Sequence, residues 1–185
     1  LYADDPAWVA PLDFEQRQRF SPANHFFDHA RWRAWLALRA GVPVGRITAQ
    51  IDEMHLRQHA DGVGYFGMLE CEDDPAVFAA LLGAAADWLR SEGMQRLRGP
   101  LNLHINEEVG LLVEGRETPP MFMMSHDADH TAAAIEAQGY AKAKDIYAYT
   151  CSVADDLPAP ILRRIRKGLP EGVTLRTLEM KRLDA

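Results

Sequence analysis

The sequence predicts an α/β (α+β) chain, and three observations predict it. Trp32, Ala34, Leu36 and Leu38 alternate with their neighbours, and after Ala40-Gly41-Val42-Pro43 a second strand-like run extends from Val44 to Ile51. Phe78, Leu81, Leu82, Ala85, Trp88 and Leu89 recur every three or four residues, as in a helix with one apolar face. Short apolar runs bounded by glycine and proline flank that helix on both sides, Gly62–Cys71 before it and Met94–Asn102 after it.

In chain order, Pro11 to Phe20 reads as a short helix with proline at its start, and Ser21-Pro22 offers a second start signal. The two alternating runs form a hairpin. Glu53 to Asp61 is a polar connector of helical character, and Gly62–Cys71 is a strand. Asp74 caps the long helix ahead of Pro75, and Gly93 ends it. Met94–Asn102 and the apolar Pro119–Ser125 supply two more strands, a helix runs from Asp129 to Gln138 and stops at Gly139, and Tyr140–Val153 alternates like a closing strand or hairpin. Asp155-Asp156-Leu157-Pro158-Ala159-Pro160 then breaks the pattern, Ile161–Gly168 is a basic helix, and a strand beginning at Val173 has little sequence left to pair with. The expected division is a main domain over residues 1–153, a linker over 154–172, and the start of a second, truncated domain over 173–185.

At 185 residues, 48% hydrophobic and 25% charged, the chain can build one sizeable core. Its net charge of -7, with a basic run confined to Arg163–Lys167, argues against nucleic acid as a partner. No apolar run reaches the roughly 20 residues that cross a bilayer, so no membrane partner and a cytoplasmic location are expected. Cys71 and Cys151 are far apart and lack metal-ligand spacing, so no metal site and no disulfide are expected. The chain begins at Leu1 without a methionine, which suggests a piece of a longer protein.

One segment holds more hydrogen-bonding chemistry than a turn needs. Between Gly99-Pro100 and Gly110 lie Asn102, His104, Asn106, Glu107 and Glu108, with His126 and Asp127 following the next apolar run. An imidazole or carboxylate there can take a proton from an amine as it attacks a carbonyl. The plainer account has Asn102 and Asn106 satisfying backbone groups in an awkward turn and the glutamates solvated. Other motifs favour structure over chemistry. Gly62–Gly67 matches a dinucleotide-binding glycine pattern but lies within a strand instead of opening a helix, which points to close strand packing. His55 and His59, like His25 and His29, have the spacing of paired helical ligands but no third ligand. Met121, Met123 and Met124 read as core filler, and Tyr147 and Tyr149 as packing on one strand face.

The element order resembles that of the GNAT acyl-CoA N-acyltransferases. His130–Asp145 is similar to their late helix, with its Gly-aromatic ending, and the strand after it; Pro43–Ile51 is similar to their third strand. The combination of Gly99–Gly115, Thr118–His126 and Gly139–Tyr149 resembles a bacterial branch with two GNAT-like domains in tandem. The resemblance implies a mixed, mostly antiparallel twisted sheet flanked by helices on both faces, with the first strand missing from this chain. It implies that backbone groups of Met68, Leu69 and Glu70 hold the pantetheine arm of acetyl-CoA or another acyl-CoA. His104 or Glu107 would then be the catalytic base, while Asn102, Asn106, Glu108 and His126 would bind substrate. The strand ending near Gly99 would splay from its neighbour to admit the thioester.

One departure is expected to matter. The phosphate-gripping turn before the long helix is glycine-rich in that family, whereas here it is Leu69–Val77, with Glu70, Glu72, Asp73 and Asp74 where two phosphates would sit. Weak or absent acetyl-CoA binding is therefore expected. Two functions follow from the resemblance: acyl transfer from acyl-CoA to an amine with a degenerate phosphate grip, or a catalytically silent domain partnering a second GNAT-like domain of the parent chain. A third reading is a module whose acidic rim attracts a small-molecule amine. A homodimer is a further option.

Overall fold

The computed structural model describes residues 1–150, 152 and 157–180, and the chain divides into two compact units, Leu1–Asp145 and the segment from Ile146 onward. In the first unit, helix α1 (Asp13–Arg19) and a short 3-10 turn (His25–Asp28) precede a four-stranded sheet. Strands β1 (Ala30–Arg39) and β2 (Val42–Asp52) form the expected hairpin, turning at Ala40 and Gly41, both at positive φ. Helix α2 (Glu53–His59) leads into β3 (Val63–Cys71), antiparallel to β2. Helix α3 (Pro75–Ser91) then crosses over to β4 (Arg96–Arg98), which lies parallel to β3, giving the order β1-β2-β3-β4. The mixed, mostly antiparallel α+β architecture is the one the sequence predicts.

Helix α3 forms where its signals place it. Asp74 Oδ1 accepts from the Ala76 amide at 2.9 Å, Pro75 occupies the first turn where its missing N–H costs nothing, and Gly93 follows the end at a φ of 86°. Its apolar face, Phe78, Leu81, Leu82, Ala85, Trp88 and Leu89, packs on Ile47, Ala49 and Ile51 of β2 and Phe66 of β3. Helix α4 (Thr131–Ala137) adds Ile135 to the same core. Strand alternation sends Trp32, Ala34 and Leu36 of β1, with Arg46, Thr48 and Gln50 of β2 opposite them in register, to the other face. On that second face Gln50 is fully buried and its Nε2 donates to the Leu101 carbonyl at 2.5 Å, while Val63 and Tyr65 pack against Leu101. The glycine pattern at Gly62–Gly67 serves packing: a Cβ at Gly64 would strike Leu89, and one at Gly67 would overlap the Leu101 carbonyl.

Three expected strands are absent among the described residues. Pro119–Ser125 is irregular, with Phe122 85% exposed, and residues 140–150 form no strand, with Ile146, Tyr147 and Tyr149 exposed. Cys151 and Val153, which that closing strand was to include, lie outside the described residues. Residues 173–179 also form no strand. Apolar alternation alone does not make a strand, which also needs a neighbour with free N–H and C=O groups. The second unit carries helix α5 (Ala159–Arg166), starting two residues ahead of the expected basic helix.

Candidate functional site

The sheet opens on its second face between β3 and the chain leaving β4. The β3–β4 ladder covers Val63–Arg96 to Tyr65–Arg98, and the Leu101 amide extends it by donating to the Phe66 carbonyl at 2.8 Å. Beyond that the strands part. On the β2 side, pairing jumps from Thr48–Gly67 to Arg46–Glu70, so Met68 and Leu69 together oppose Ile47 in a bulge, with Met68 at a φ of 48°. Asn102 holds this opening. Its Oδ1 accepts from the Met68 amide at 2.7 Å, its Nδ2 donates to Glu108 Oε2 at 3.3 Å, and its own amide donates to the Glu108 carbonyl at 3.0 Å. The amide-rich sequence of the loop therefore replaces the ladder where the ladder stops. Asn102→Ala leaves the Met68 amide without its acceptor and is expected to cost about 1–3 kcal/mol in urea unfolding; an unchanged midpoint would remove Asn102 from this role.

Arg19, at the C-terminal end of α1, clamps the loop from outside. A single guanidinium nitrogen lies 2.8 Å from Glu107 Oε2 and 2.9 Å from Glu108 Oε1, and the Arg19 side chain is only 12% exposed. Burial works against Glu108 ionisation, but the Arg19 hydrogen bond and charge, with the Asn102 amide, outweigh it and hold its carboxyl below the usual range. Arg19→Met keeps the stem and removes the charge. It is expected to cost about 2 kcal/mol, between the values for exposed and fully buried pairs, and the cost should shrink only in acid below the depressed range of Glu108, where that carboxyl takes up its proton.

The cleft between the parted strands has a volume of about 130 Å³. Met68, Leu69, Glu70, Asn102, Glu108 and His126 all line it, together with Arg19, Arg46 and Asp127. The structure thus gathers most of the residues singled out by sequence into one place. It seats three others differently. His104 packs against the Phe26 ring at 5.4 Å, its Nδ1 accepts from the Asn106 amide at 3.1 Å, and its Nε2 lies 3.7 Å from Glu107. Glu107 turns to Arg19, and Asn106 is exposed, contributing its backbone to the turn. These residues shape the loop from behind the cleft wall.

The cleft is acidic, and its carboxyl groups are partly buried. Glu70 Oε2 accepts from the Tyr2 hydroxyl at 2.6 Å and Oε1 lies 3.8 Å from Arg46; burial still pushes the Glu70 carboxyl up, with Tyr2 and Arg46 opposing. Asp127 is pushed up to about 6, by burial first and by the Glu70 charge second, against the Leu112 amide that donates to its Oδ2 at 2.7 Å. The His126 side chain is 4% exposed; its Nε2 lies 2.7 Å from Asp5 Oδ2, and its Nδ1 is buried without a hydrogen-bond partner among the described residues. Sequence reading missed Tyr2, Asp5, Arg19 and Arg46. Tyr2, Asp5 and Arg19 belong to no motif and Arg46 sits unmarked inside the strand segment Pro43–Ile51, and the partners are distant in the chain, 68 residues for Tyr2–Glu70 and 121 for Asp5–His126.

The turn before α3 is held otherwise than an anion-gripping loop. Arg39 bridges Glu72 and Asp74, each at 2.6 Å, and Asp74 itself occupies the Ala76 amide. His55 bonds Asp61 at 3.1 Å and meets the Tyr65 hydroxyl, and His25 pairs with Asp28. Among the described residues no helix is long and apolar enough to cross a membrane.

No family model matches the chain, and no solved structure matches it. It is 50% identical over 187 residues to a protein of Caulobacter vibrioides (strain NA1000 / CB15N) called "Bacterial ceramide synthase", covering all of this chain and 48% of that protein. It is 44% identical over 182 residues to "Protein YghO" of Escherichia coli (strain K12), covering 98% of this chain and 47% of that one. The chain spans about half the length of these curated relatives, and over nearly all of its own length it is homologous to both bacterial proteins.

Proposed function

We propose that this chain is the acyl-transferring domain of an N-acyltransferase that moves an acyl group from an acyl-CoA thioester to the amino group of a long-chain amino alcohol. The observation that carries the reading is the cleft itself: two strands part at a bulge beside Met68, and carboxyl groups of raised pKa line the same opening. The name of the Caulobacter relative supports the substrate class, since a ceramide is the amide of a long-chain base. The thioester carbonyl lies along the Met68–Glu70 backbone. An ammonium is drawn in by Glu70, Glu108 and Asp127, and it must lose a proton before its nitrogen can attack. Asp127, with a pKa near 6, is matched to that task at neutral pH and takes the role that the resemblance gave to His104 or Glu107. The nitrogen forms the amide bond and gives up its second proton, the carbon–sulfur bond breaks, and the thiolate takes up that proton to leave as CoA thiol.

The second reading is a silent GNAT-like domain whose partner domain lies elsewhere in the parent chain. The Arg39-bound acidic turn ahead of α3 favours it, because a pyrophosphate there meets like charge. The test uses the intact parent protein with palmitoyl-CoA and sphinganine, wild type beside Asp127→Asn: amide and free thiol formed in equal amounts by wild type and lost in the variant support acyl transfer in this domain, whereas product that survives Asp127→Asn assigns the chemistry to the partner domain. No product, together with no heat on calorimetric titration with acetyl-CoA and CoA, overturns it in favour of the silent domain.

A further inference from the structure

An apolar groove of about 390 Å³ runs along the second face of the sheet. Its floor is Trp32, Ala34 and Leu36 of β1, Phe20 closes one side after α1, and its volume lies in the range of small-molecule sites, about 300–1,000 Å³. Strand alternation sets the floor: these β1 residues face away from α3, and Leu36 and the next residue on that face, Leu38, are exposed. From Trp32 to Leu38 such a row is roughly 20 Å long. The groove does not end blindly. Arg46 and Met68 line both it and the acidic cleft, so the apolar trough leads across β2 to the bulge where the strands part.

We infer that this groove holds the hydrocarbon tail of the acyl group, with the thioester carbonyl at Met68 and the chain running over Thr48 and Ala34 toward Leu36. The inference rests on the acyl-transfer reading for the identity of the ligand, but the groove and its continuity with the cleft do not depend on it. The acyl chain is the occupant favoured over the tail of the amine. A carbonyl placed on the β3 bulge puts the next carbons beside Met68, which both spaces share, whereas the carboxyl groups that draw the ammonium, Glu70, Glu108 and Asp127, line the cleft and not the groove. Apolar contact along the trough then selects long thioesters over short ones.

The experiment uses the intact parent protein, wild type and two variants, Ala34→Trp and Leu36→Gln. Both positions are exposed, so the changes fill or wet the trough without entering the core. Wild type is expected to prefer palmitoyl-CoA to acetyl-CoA with a given amine, and each variant is expected to cut that preference at least about ten-fold in kcat/KM. Parinaric acid, a fluorescent fatty acid, is expected to bind wild type and to bind Ala34→Trp at least about ten-fold more weakly, whether or not acyl transfer is detected. Binding that responds to Ala34→Trp without any amide formation upholds the groove while the acyltransferase reading falls. Amide formation whose thioester preference and parinaric acid affinity ignore both variants overturns the groove while the acyltransferase reading stands. A variant effect that follows the chain length of the amine instead of the thioester, or failure of parinaric acid to bind wild type because other parts of the parent chain or a second copy cover the trough, also overturns the inference.

Discussion

Asp127→Asn is expected to make the protein more stable at pH 7 and at least about 100-fold less active. The carboxyl group is buried beside Glu70, and its pKa rises from 3.8 in the unfolded chain to about 6 in the fold. Between those values the native state holds the extra proton. The stability associated with the neutral group is therefore fully present below about pH 4 and is lost as pH rises through 6. At pH 7 the fold carries an ionised carboxylate at a cost of roughly 3 kcal/mol. An asparagine oxygen still accepts from the Leu112 amide but carries no charge, so roughly 2 kcal/mol should return after the attraction to Arg116 is lost. Catalysis moves the other way, since an amide cannot take the proton of an ammonium, and losing a general base typically costs about 10²–10⁴-fold. Urea unfolding at pH 4 and pH 7, paired with amide formation across pH, checks both halves. Wild-type kcat should fall as pH drops below about 6, and the stability gain should vanish at pH 4. A variant that is less stable at pH 7, or one that keeps its activity, would remove Asp127 from the role of base.

This trade between stability and chemistry explains which parts of the site could be read from sequence. The hairpin and α3 depend on local periodicity and on caps within a few residues, so Trp32 to Ile51 and Asp74 to Gly93 announce themselves. Asn102, His104, Glu107 and Glu108 stood out because such density of polar groups beside Gly99-Pro100 has few uses. Which of them faces the cleft depended on Arg19, whose partners lie 88 and 89 residues later, and no spacing rule reaches that far. His104 is directed instead by Phe26 and by the Asn106 amide. The overestimated strands fail for a related reason: Pro119–Ser125 and residues 140–150 have the right composition, but composition does not choose a pairing partner, and neither stretch forms a ladder with another strand.

Gly67→Ala is expected to be the most destabilising single-methyl change in the chain, at about 3 kcal/mol, while Gly83→Ala is expected to stabilise by roughly 0.5–1 kcal/mol. At Gly67 a Cβ would overlap the Leu101 carbonyl and approach Asn102 Oδ1 at 3.1 Å. The obstacle is backbone, and that backbone is fixed: the Leu101 amide bonds Phe66, its carbonyl accepts from Gln50, and Asn102 bonds Met68. A side chain tip would rotate aside, but a carbonyl in three-way contact moves only by breaking the junction at which the strands part. Overpacking with backbone as the neighbour belongs at the upper end of the usual 1–3 kcal/mol. Gly83 lies within α3 with nothing within 4 Å of the added methyl, so there alanine only removes conformational freedom from the unfolded chain. The two variants differ by the same atom and should shift the urea midpoint in opposite directions. If Gly67→Ala unfolds near wild type, the close approach of Leu101 to β3 is not part of the fold, and the cleft beside Met68 loses the wall that defines it. If it is destabilised as expected, fatty-acid binding in the folded population should weaken with it, because Met68, the next residue along β3, lines both the cleft and the apolar groove.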